Sequence, residues 1–231
     1  MKLFLLIIVI VVLIYYFWKN KIIIDFKSFF ERGFVPNREK FGVYCYHGKQ
    51  GKGKTFSVVE FLLENKGKKI YSNITSIKGI EYTKINGIKD LLDLRSETDC
   101  IIVFDEIFTI LQKNSKFNGE LMDFLSQMRK RKIIFITTAQ EWLEIPMTLR
   151  RYCRYEIDCN MRKFLWFGIM IKRFGDAEQM HWSQLDNEYV DPIVATKISK
   201  CRIRIGESYD TFEQIGKNNG VVVISHDTPN N

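Results

Sequence analysis

The chain has 231 residues, is 46% hydrophobic and carries a formal net charge of +8. This length predicts one domain with a short appendage, and the apolar residues suffice for a sizeable core. Five cysteines at irregular spacing exclude a disulfide framework and a zinc pattern. The excess of basic over acidic residues suits binding to a membrane surface or a nucleic acid.

The first predicted element is an apolar block from Leu3 to Trp18. Such a block is typical of a transmembrane helix, which needs about 20 apolar residues. No small-residue cleavage site follows, which argues against a signal peptide, and a buried core helix is the remaining alternative. Basic residues prefer the cytoplasmic side, so we expect a single-pass anchor with the rest of the chain in the cytoplasm. Only Lys2 precedes the block, and the basic residues that follow are Lys19, Lys21, Lys27, Arg32, Arg38 and Lys40.

Strand-like and helix-like segments then alternate, which favours a parallel sheet with helices on both faces. Cys45 and Cys100 lie in the apolar strand-like runs, so we interpret both as small core residues. The predicted strands are residues 41–47, 68–74, 100–106, 133–140 and 151–159, the last being the final strand of the sheet. The predicted helices are residues 55–67, 85–94 and 119–132.

A glycine-rich loop joins the first of these strands to the first helix. Gly48, Gly53, Lys54 and Thr55 have the spacing G-x-x-x-x-G-K-T, which predicts a loop that binds nucleotide phosphates through backbone N–H groups. We expect ATP and Mg²⁺ as ligands, with Lys54 on the β- and γ-phosphates and Thr55 on the metal ion. The predicted nucleotide-binding residues are Gly48, Lys49, Gln50, Gly51, Lys52, Gly53, Lys54 and Thr55, of which Lys49 and Lys52 are expected to expose their side chains.

Two carboxylates end the apolar run "IIVF". Asp105 is predicted to hold Mg²⁺, and Glu106 to polarise the attacking water. An ordinary polar strand end is the alternative. Thr138 and Gln140 follow another buried run and are predicted to lie near the γ-phosphate, if a strand is inserted between the loop strand and the acidic strand.

A basic turn follows, with Arg150, Arg151 and Arg154. Arg150 and Arg151 are candidates for an arginine finger offered to a neighbouring subunit. A solvated basic turn is the alternative.

Together these patterns predict an α/β P-loop NTPase of the additional-strand, RecA/FtsK-like type, with a mostly parallel sheet and one N-terminal transmembrane helix. The expected organisation has an anchor at 1–20, a juxtamembrane linker at 21–40, an ATPase domain at 41–160 and a small C-terminal extension at 161–231.

Three stretches resemble the Zonula occludens toxin-like (Zot-like) ATPases, which include assembly proteins of filamentous phages. Residues 42–74, "GVYCYHGKQGKGKTFSVVEFLLENKGKKIYSNI", resemble the family's opening strand, loop, helix and short strand. The acidic strand "IIVFDE" matches as well. The third stretch is "LMDFLSQMRKRKIIFITTAQEWLEIPMTLRRYCRYEI", residues 121–157, and its more specific part runs from Gln127 to Ile157. In the phage proteins the ATPase domain precedes the membrane segment, whereas here the apolar block comes first.

The resemblance implies an ATP-hydrolysing motor in the host inner membrane that assembles and extrudes a single-stranded DNA phage. Implied partners are further copies of the chain in a ring such as a hexamer, single-stranded DNA, and phage coat or assembly proteins. Two alternatives stay open: an FtsK/HerA-like DNA translocase or genome-packaging ATPase, and a membrane scaffold that binds nucleotide without turnover.

Overall fold

The structure is a computed structural model that describes residues 2–26, 41–107, 118–183, 188–190 and 192–209. Most of the predicted linker at 21–40 and the C-terminal residues from 210 onward lie outside the described residues. The described helices are α1 (Lys2–Lys19), α2 (Lys54–Glu64), α3 (Ile88–Asp93), α4 (Asn118–Ser126), α5 (Met147–Arg150) and α6 (Ile203–Gly206). The strands are β1 (Ile22–Ile24), β2 (Gly42–His47), β3 (Lys69–Ser72), β4 (Thr83–Lys84), β5 (Cys100–Phe104), β6 (Ile134–Ala139), β7 (Cys153–Phe164), β8 (Phe167–Asp176), β9 (His181–Ser183), β10 (Glu188–Val190) and β11 (Ile193–Lys200).

The N-terminal apolar block forms helix α1, as predicted. Its large apolar side chains from Leu5 to Tyr16 are about half exposed, and Trp18 is 77% exposed. Among the helices whose residues the structure describes, none meets the length and hydropathy required to cross a membrane. The predicted transmembrane helix is therefore not confirmed.

Nine of the described strands form one sheet in the order β1-β11-β8-β7-β2-β6-β5-β3-β4, and β9 and β10 pair antiparallel as a separate two-stranded sheet. From β7 to β4 all neighbouring strands are parallel. Every residue of β5 and β6 is buried, as expected for β-branched and aromatic runs covered on both faces. Strand β6 lies between β2 and β5, which confirms the predicted inserted strand.

Helices cover both faces of this parallel part, as predicted. Helix α2 buries Val59 and Leu62 against one face, where they share a core with Ile101 and Ile136. Helices α3 and α4 lie on the opposite face, whose core includes Leu91, Leu121, Phe124, Ile102 and Phe135. Cys45 and Cys100 are buried in the second core, which confirms their interpretation as core residues.

The predicted end of the sheet is wrong. Strand β7 is not the last, because β8 pairs with it antiparallel, β11 pairs antiparallel with β8, and β1 adds in parallel at the edge. The sheet therefore continues without interruption across residue 160 into the C-terminal part of the chain.

A buried ion pair ties these added strands to helix α2. Lys172 Nζ on β8 lies 2.7 Å from Glu60 Oε2 on α2, and the two residues are 6% and 2% exposed. Burial alone would lower the pKa of Lys172, but the charge of Glu60 and its hydrogen bond outweigh burial and raise it. Lys172 is therefore a charged anchor between β8 and the helix that begins at the glycine-rich loop.

Candidate functional site

The predicted site residues meet at the carboxyl edge of the parallel sheet. Strand β2 leads into the glycine-rich loop, β5 ends before Asp105, and β6 carries Thr138 near its end. The registers Tyr46↔Thr138 and Phe104↔Thr137 place the ends of these three strands side by side. Ligands of open α/β sheets bind at this edge.

The loop has the backbone that its glycines predict. Gly48, Gly51 and Gly53 have φ angles of 140°, 76° and 85°, a region that residues with a Cβ rarely adopt. A Cβ on Gly48 would come within 2.6 Å of the Cys159 carbonyl oxygen. Close packing against β7 therefore adds a second reason for glycine at position 48.

The loop passes directly into helix α2, whose N terminus has no side-chain cap. The first N–H groups of a helix lack intrahelical partners, and the helix dipole adds positive potential there. Lys54 Nζ lies over the loop and donates to the Gly48 carbonyl at 2.7 Å. Thr55 follows in the first turn, half-buried. This combination fits an anion such as a phosphate group.

The remaining loop residues lie on the surface. Lys49, Gln50 and Gly51 are exposed, while Lys52 is partly buried. A cleft of about 400 Å³ opens beside the loop, bounded by residues 140–143 and 158–160. There is thus open space next to the loop for the rest of a nucleotide.

Asp105 is the most constrained of the predicted acids. It is 9% exposed, and the Thr138 hydroxyl donates a hydrogen bond to its carboxylate. The same hydroxyl accepts the backbone N–H of Glu106 at 3.2 Å. Thr138 therefore holds both acidic residues in place, and its predicted position near the γ-phosphate stays a prediction.

Burial is the main reason that the pKa of Asp105 is raised above its ordinary value, and the charge of Glu106 adds to the shift. The Thr138 hydrogen bond and the positive charge of Lys54 act in the opposite direction. This small effect of Lys54 on the pKa of Asp105 agrees with the strand registers, which bring the loop and the end of the acidic strand together. A buried carboxylate with a raised pKa gains most from a cation nearby, which fits a metal ligand.

Glu106 has a φ of 54°, in the left-handed region that is unusual for a glutamate. Strained backbone of this kind clusters at functional sites. Its side chain is half-buried.

Gln140 lies beside the start of the loop. Its carbonyl oxygen accepts the Gly48 N–H at 3.1 Å, and its side chain is exposed. The role predicted for this side chain near the γ-phosphate stays a prediction.

The structure corrects the interpretation of Arg150 as an arginine finger. Arg150 is 8% exposed, its Nε donates to the Ile145 carbonyl at 3.0 Å, and its guanidinium lies 5.9 Å from the Trp142 ring centroid. A side chain buried in this way is not presented to a neighbouring subunit. Arg151 is exposed and stays a candidate.

Asn73 is a site residue that the sequence analysis missed. Its Nδ2 donates to the Asp105 carbonyl at 3.1 Å, and its Oδ1 accepts the Asp105 N–H at 2.7 Å. The side chain is 6% exposed and follows directly after β3. Its role could have been predicted from its position directly after β3, the strand that pairs with the acidic strand β5.

We expect Asn73→Ala to weaken the site because it removes both hydrogen bonds that hold the Asp105 backbone. Loss of such supporting partners typically costs about 10–100-fold in metal affinity. The measurement is the Mg²⁺ concentration that gives half-maximal ATP hydrolysis, and we expect it to rise. Asn65→Ala is the matched control, since the Asn65 amide donates only to the end of α2, at Phe61 O. Equal Mg²⁺ dependence of both variants would contradict the role of Asn73.

Comparison with known proteins identifies a family. The model for the ATPase family associated with various cellular activities (AAA) matches residues 44–163. This span covers about half of the chain and includes the loop and both acidic residues. No curated protein matches the sequence.

Several solved structures have a similar fold. The N-terminal domain of zonular occludens toxin from Neisseria meningitidis is 15% identical, covers 74% of this chain and 100% of its own, and has a TM-score of 0.48. The genome-packaging NTPase B204 of Sulfolobus turreted icosahedral virus 2, in complex with ATP-γS, is 11% identical, with coverages of 66% and 98% and a TM-score of 0.44. A KaiC-like protein from Pyrococcus horikoshii is 12% identical, with coverages of 70% and 98% and a TM-score of 0.44. These values are too low to indicate what this chain acts on.

Proposed function

The chain belongs to the ATPase family associated with various cellular activities (AAA), and from this premise we propose that it is a membrane-attached motor that assembles and extrudes a filamentous-type, single-stranded DNA phage. The P-loop ATPase assignment made from the sequence is confirmed by this family membership. The nature of the work done with ATP is the proposed part.

One observation carries the enzymatic part of the proposal: Lys54, Asp105 and Glu106 converge at one sheet edge. Lys54 is suited to bind the phosphates of ATP. Glu106, adjacent to the metal-binding acid, is suited to accept a proton from the attacking water. The residues fit Mg²⁺ as well, with Thr55 and Asp105 as ligands. Bound Mg²⁺ would supply positive charge to the phosphate oxygens.

The phage-assembly part rests on the sequence. Residues 121–157 resemble the helix, strand and basic-aromatic strand of Zot-like ATPases, and the part from Gln127 to Ile157 is more specific to that family than the glycine loop is. Single-stranded DNA and phage coat or assembly proteins are the partners that this resemblance supports.

Attachment to the host inner membrane through α1 is part of the proposal. Its support is the exposed apolar surface of α1, where Leu5, Ile14 and Trp18 are 63%, 64% and 77% exposed. The basic residues that follow α1 favour a cytoplasmic ATPase domain.

We also propose that the chain works as a homo-oligomeric ring. Ring ATPases complete their sites with an arginine from the adjacent subunit. Arg151 is exposed on the turn after α5 and is suited to that role.

A DNA translocase or packaging ATPase of the FtsK/HerA type is the second candidate. The observation in its favour is the strand β6 inserted between β2 and β5, which places Gln140 beside the loop. A scaffold without turnover is less favoured, since it has no need of the strained Glu106 next to Asp105.

The three functions differ in how ATP turnover responds to DNA. We expect the purified full chain, reconstituted in vesicles, to hydrolyse ATP with Mg²⁺ at a rate that naked single-stranded DNA leaves nearly unchanged. In a second experiment, we expect phage coat proteins to co-purify with the chain from infected cells. Stimulation of about tenfold or more by DNA alone would favour the translocase. ATP binding without hydrolysis would favour the scaffold, and both results would overturn the assembly motor.

A further inference from the structure

The hairpin of β7 and β8 extends past the end of β2 on one side, while β11 accompanies β8 up to Ile169 on the other side. The register places His47, the last residue of β2, opposite Asp158 of β7. Strand β7 continues from there to Phe164, which pairs with Phe167 of β8. Six further residues at about 3.3 Å each carry the tip about 20 Å beyond the strand end that bears the glycine loop.

This hairpin tip, residues 164–166, exposes three consecutive large apolar side chains. Phe164, Leu165 and Trp166 are 52%, 63% and 83% exposed. Phe167 lies beneath them and makes edge-to-face contacts with the Phe164 and Trp166 rings, at centroid distances of 5.6 and 6.1 Å. Phe167 therefore packs against both aromatic rings of the tip.

The surroundings of the tip are cationic. Arg162 and Lys163 on β7 are exposed next to it, and Lys200 Nζ of β11 lies 5.5 Å from the Phe167 ring centroid. Residues 159–175 contain no aspartate or glutamate. The tip therefore combines apolar side chains with positive charge and suits an anionic surface.

The turn itself is strained. Leu165 is the first residue of the two-residue connection and has a φ of 51°. Hairpin turns of this length place glycine, asparagine or aspartate at such a position, and a leucine there is unfavourable. A leucine in a position where glycine would be more stable indicates that its side chain has a use outside the fold.

We propose that the hairpin tip inserts into the interfacial region of a membrane that contains anionic lipids. Phenylalanine, leucine and tryptophan gain from transfer into this region, and the flanking Arg162 and Lys163 gain from anionic headgroups. Single-stranded nucleic acid also suits cations and aromatic rings, but an aliphatic side chain such as Leu165 offers no surface for base stacking. The lipid surface therefore accounts for all three side chains of the tip.

Insertion of the tip orients the nucleotide site. The Met161 N–H of the hairpin donates to the Lys52 carbonyl of the loop at 3.1 Å. A Cβ on Gly53 would come within 2.9 Å of the Met161 methyl carbon, so loop and hairpin pack without a gap. The docked tip therefore turns the loop-bearing edge of the sheet toward the lipid surface. This arrangement goes beyond the proposed motor function and requires neither ATP turnover nor α1.

The test uses tryptophan fluorescence of the full chain in vesicles of phosphatidylcholine and phosphatidylglycerol whose acyl chains carry bromine, a short-range quencher. The emission of Trp166 is obtained as the difference between the wild type and Trp166→Phe, so that the signals of the other three tryptophans cancel. We expect this difference to be quenched by brominated lipid and shielded from iodide in solution. Trp182→Phe is the matched control, because Trp182 is also exposed (49%) and lies outside the tip.

Leu165→Gly separates docking from folding. It should raise the melting temperature by relieving the left-handed leucine, and it should reduce the quenching of Trp166 to the level in vesicles without phosphatidylglycerol. Retained quenching in Leu165→Gly would overturn the proposal. Three results with the wild type would also overturn it. Iodide could still quench Trp166 on vesicles, oligo(dT) could protect Trp166 from iodide where lipid does not, or contacts between copies of the chain could protect it before lipid is added. Vesicle sedimentation of Leu165→Gly, in which the tip is not expected to dock, reports attachment through α1 by itself, so the two proposals fail independently.

Discussion

Glu106→Gln is expected to bind ATP as tightly as the wild type while its turnover falls by about 10²–10⁴-fold, the usual contribution of a general base. The amide keeps the shape of the side chain but cannot accept a proton from water. The backbone of Glu106 is anchored through its N–H to Thr138, so the substitution leaves the position of the residue intact. The measurement pairs equilibrium ATP binding with the steady-state hydrolysis rate.

Glu97→Gln is the matched control, since Glu97 pairs with Lys69 at 2.8 Å on the surface, away from the glycine loop. Its hydrolysis rate should equal that of the wild type. A Glu106→Gln chain with wild-type turnover would show that another group activates the water. Loss of ATP binding would show instead that Glu106 holds the site together.

Lys172→Met is expected to lower the free energy of unfolding by about 3–5 kcal/mol, because it leaves Glu60 buried without its partner. The raised pKa of Lys172 keeps this pair charged at neutral pH. The pKa of Lys172 is higher in the folded chain than in the unfolded chain. Its charge therefore stabilises the fold fully at pH values below the ordinary pKa of lysine, and this stabilisation is lost only as the pH rises through the raised pKa. Chemical denaturation of both chains measures the difference.

Two further variants distinguish the loss of stability caused by breaking the buried pair from the effect of losing any lysine. Lys69→Met removes an ion pair whose lysine side chain is 57% exposed, and it should cost far less than Lys172→Met because solvent screens an exposed pair. Adding Glu60→Leu to Lys172→Met should recover much of the loss, since no buried charge remains. If Lys172→Met costs no more than Lys69→Met, the pair does not brace α2 against β8.

The parallel half of the sheet was predictable because its strands are continuous apolar runs. Strands β5 and β6 are buried at every residue, so the sequence pattern and the structure coincide there. Strand β8 was harder, because it mixes exposed and buried positions and buries the charged Lys172. Strands are recognised from the alternation of apolar and polar residues along the sequence. A buried charged residue such as Lys172, whose partner is far away in the sequence, interrupts that alternation.

The site was predictable where one local segment supplies the chemistry. Gly48 through Thr55 are contiguous, and the two glycines of the motif, Gly48 and Gly53, have the positive φ angles that it predicts. Asn73 was not predictable in this way, because it reaches Asp105 across 32 positions of sequence through strand pairing. Arg150 was misread for the converse reason: a basic turn in the sequence gives no sign that Trp142 and Ile145 bury the guanidinium.

The central claim is that the loop and the two acidic residues form one hydrolytic ATP site. Its most direct test is the rate of Mg²⁺-dependent ATP hydrolysis by the full chain, compared with that of Lys54→Ala. This substitution removes the ammonium group that donates to the Gly48 carbonyl of the loop. We predict steady hydrolysis by the wild type and a rate at the no-enzyme background for Lys54→Ala. Equal rates for the two chains, or no hydrolysis by either, would contradict the claim.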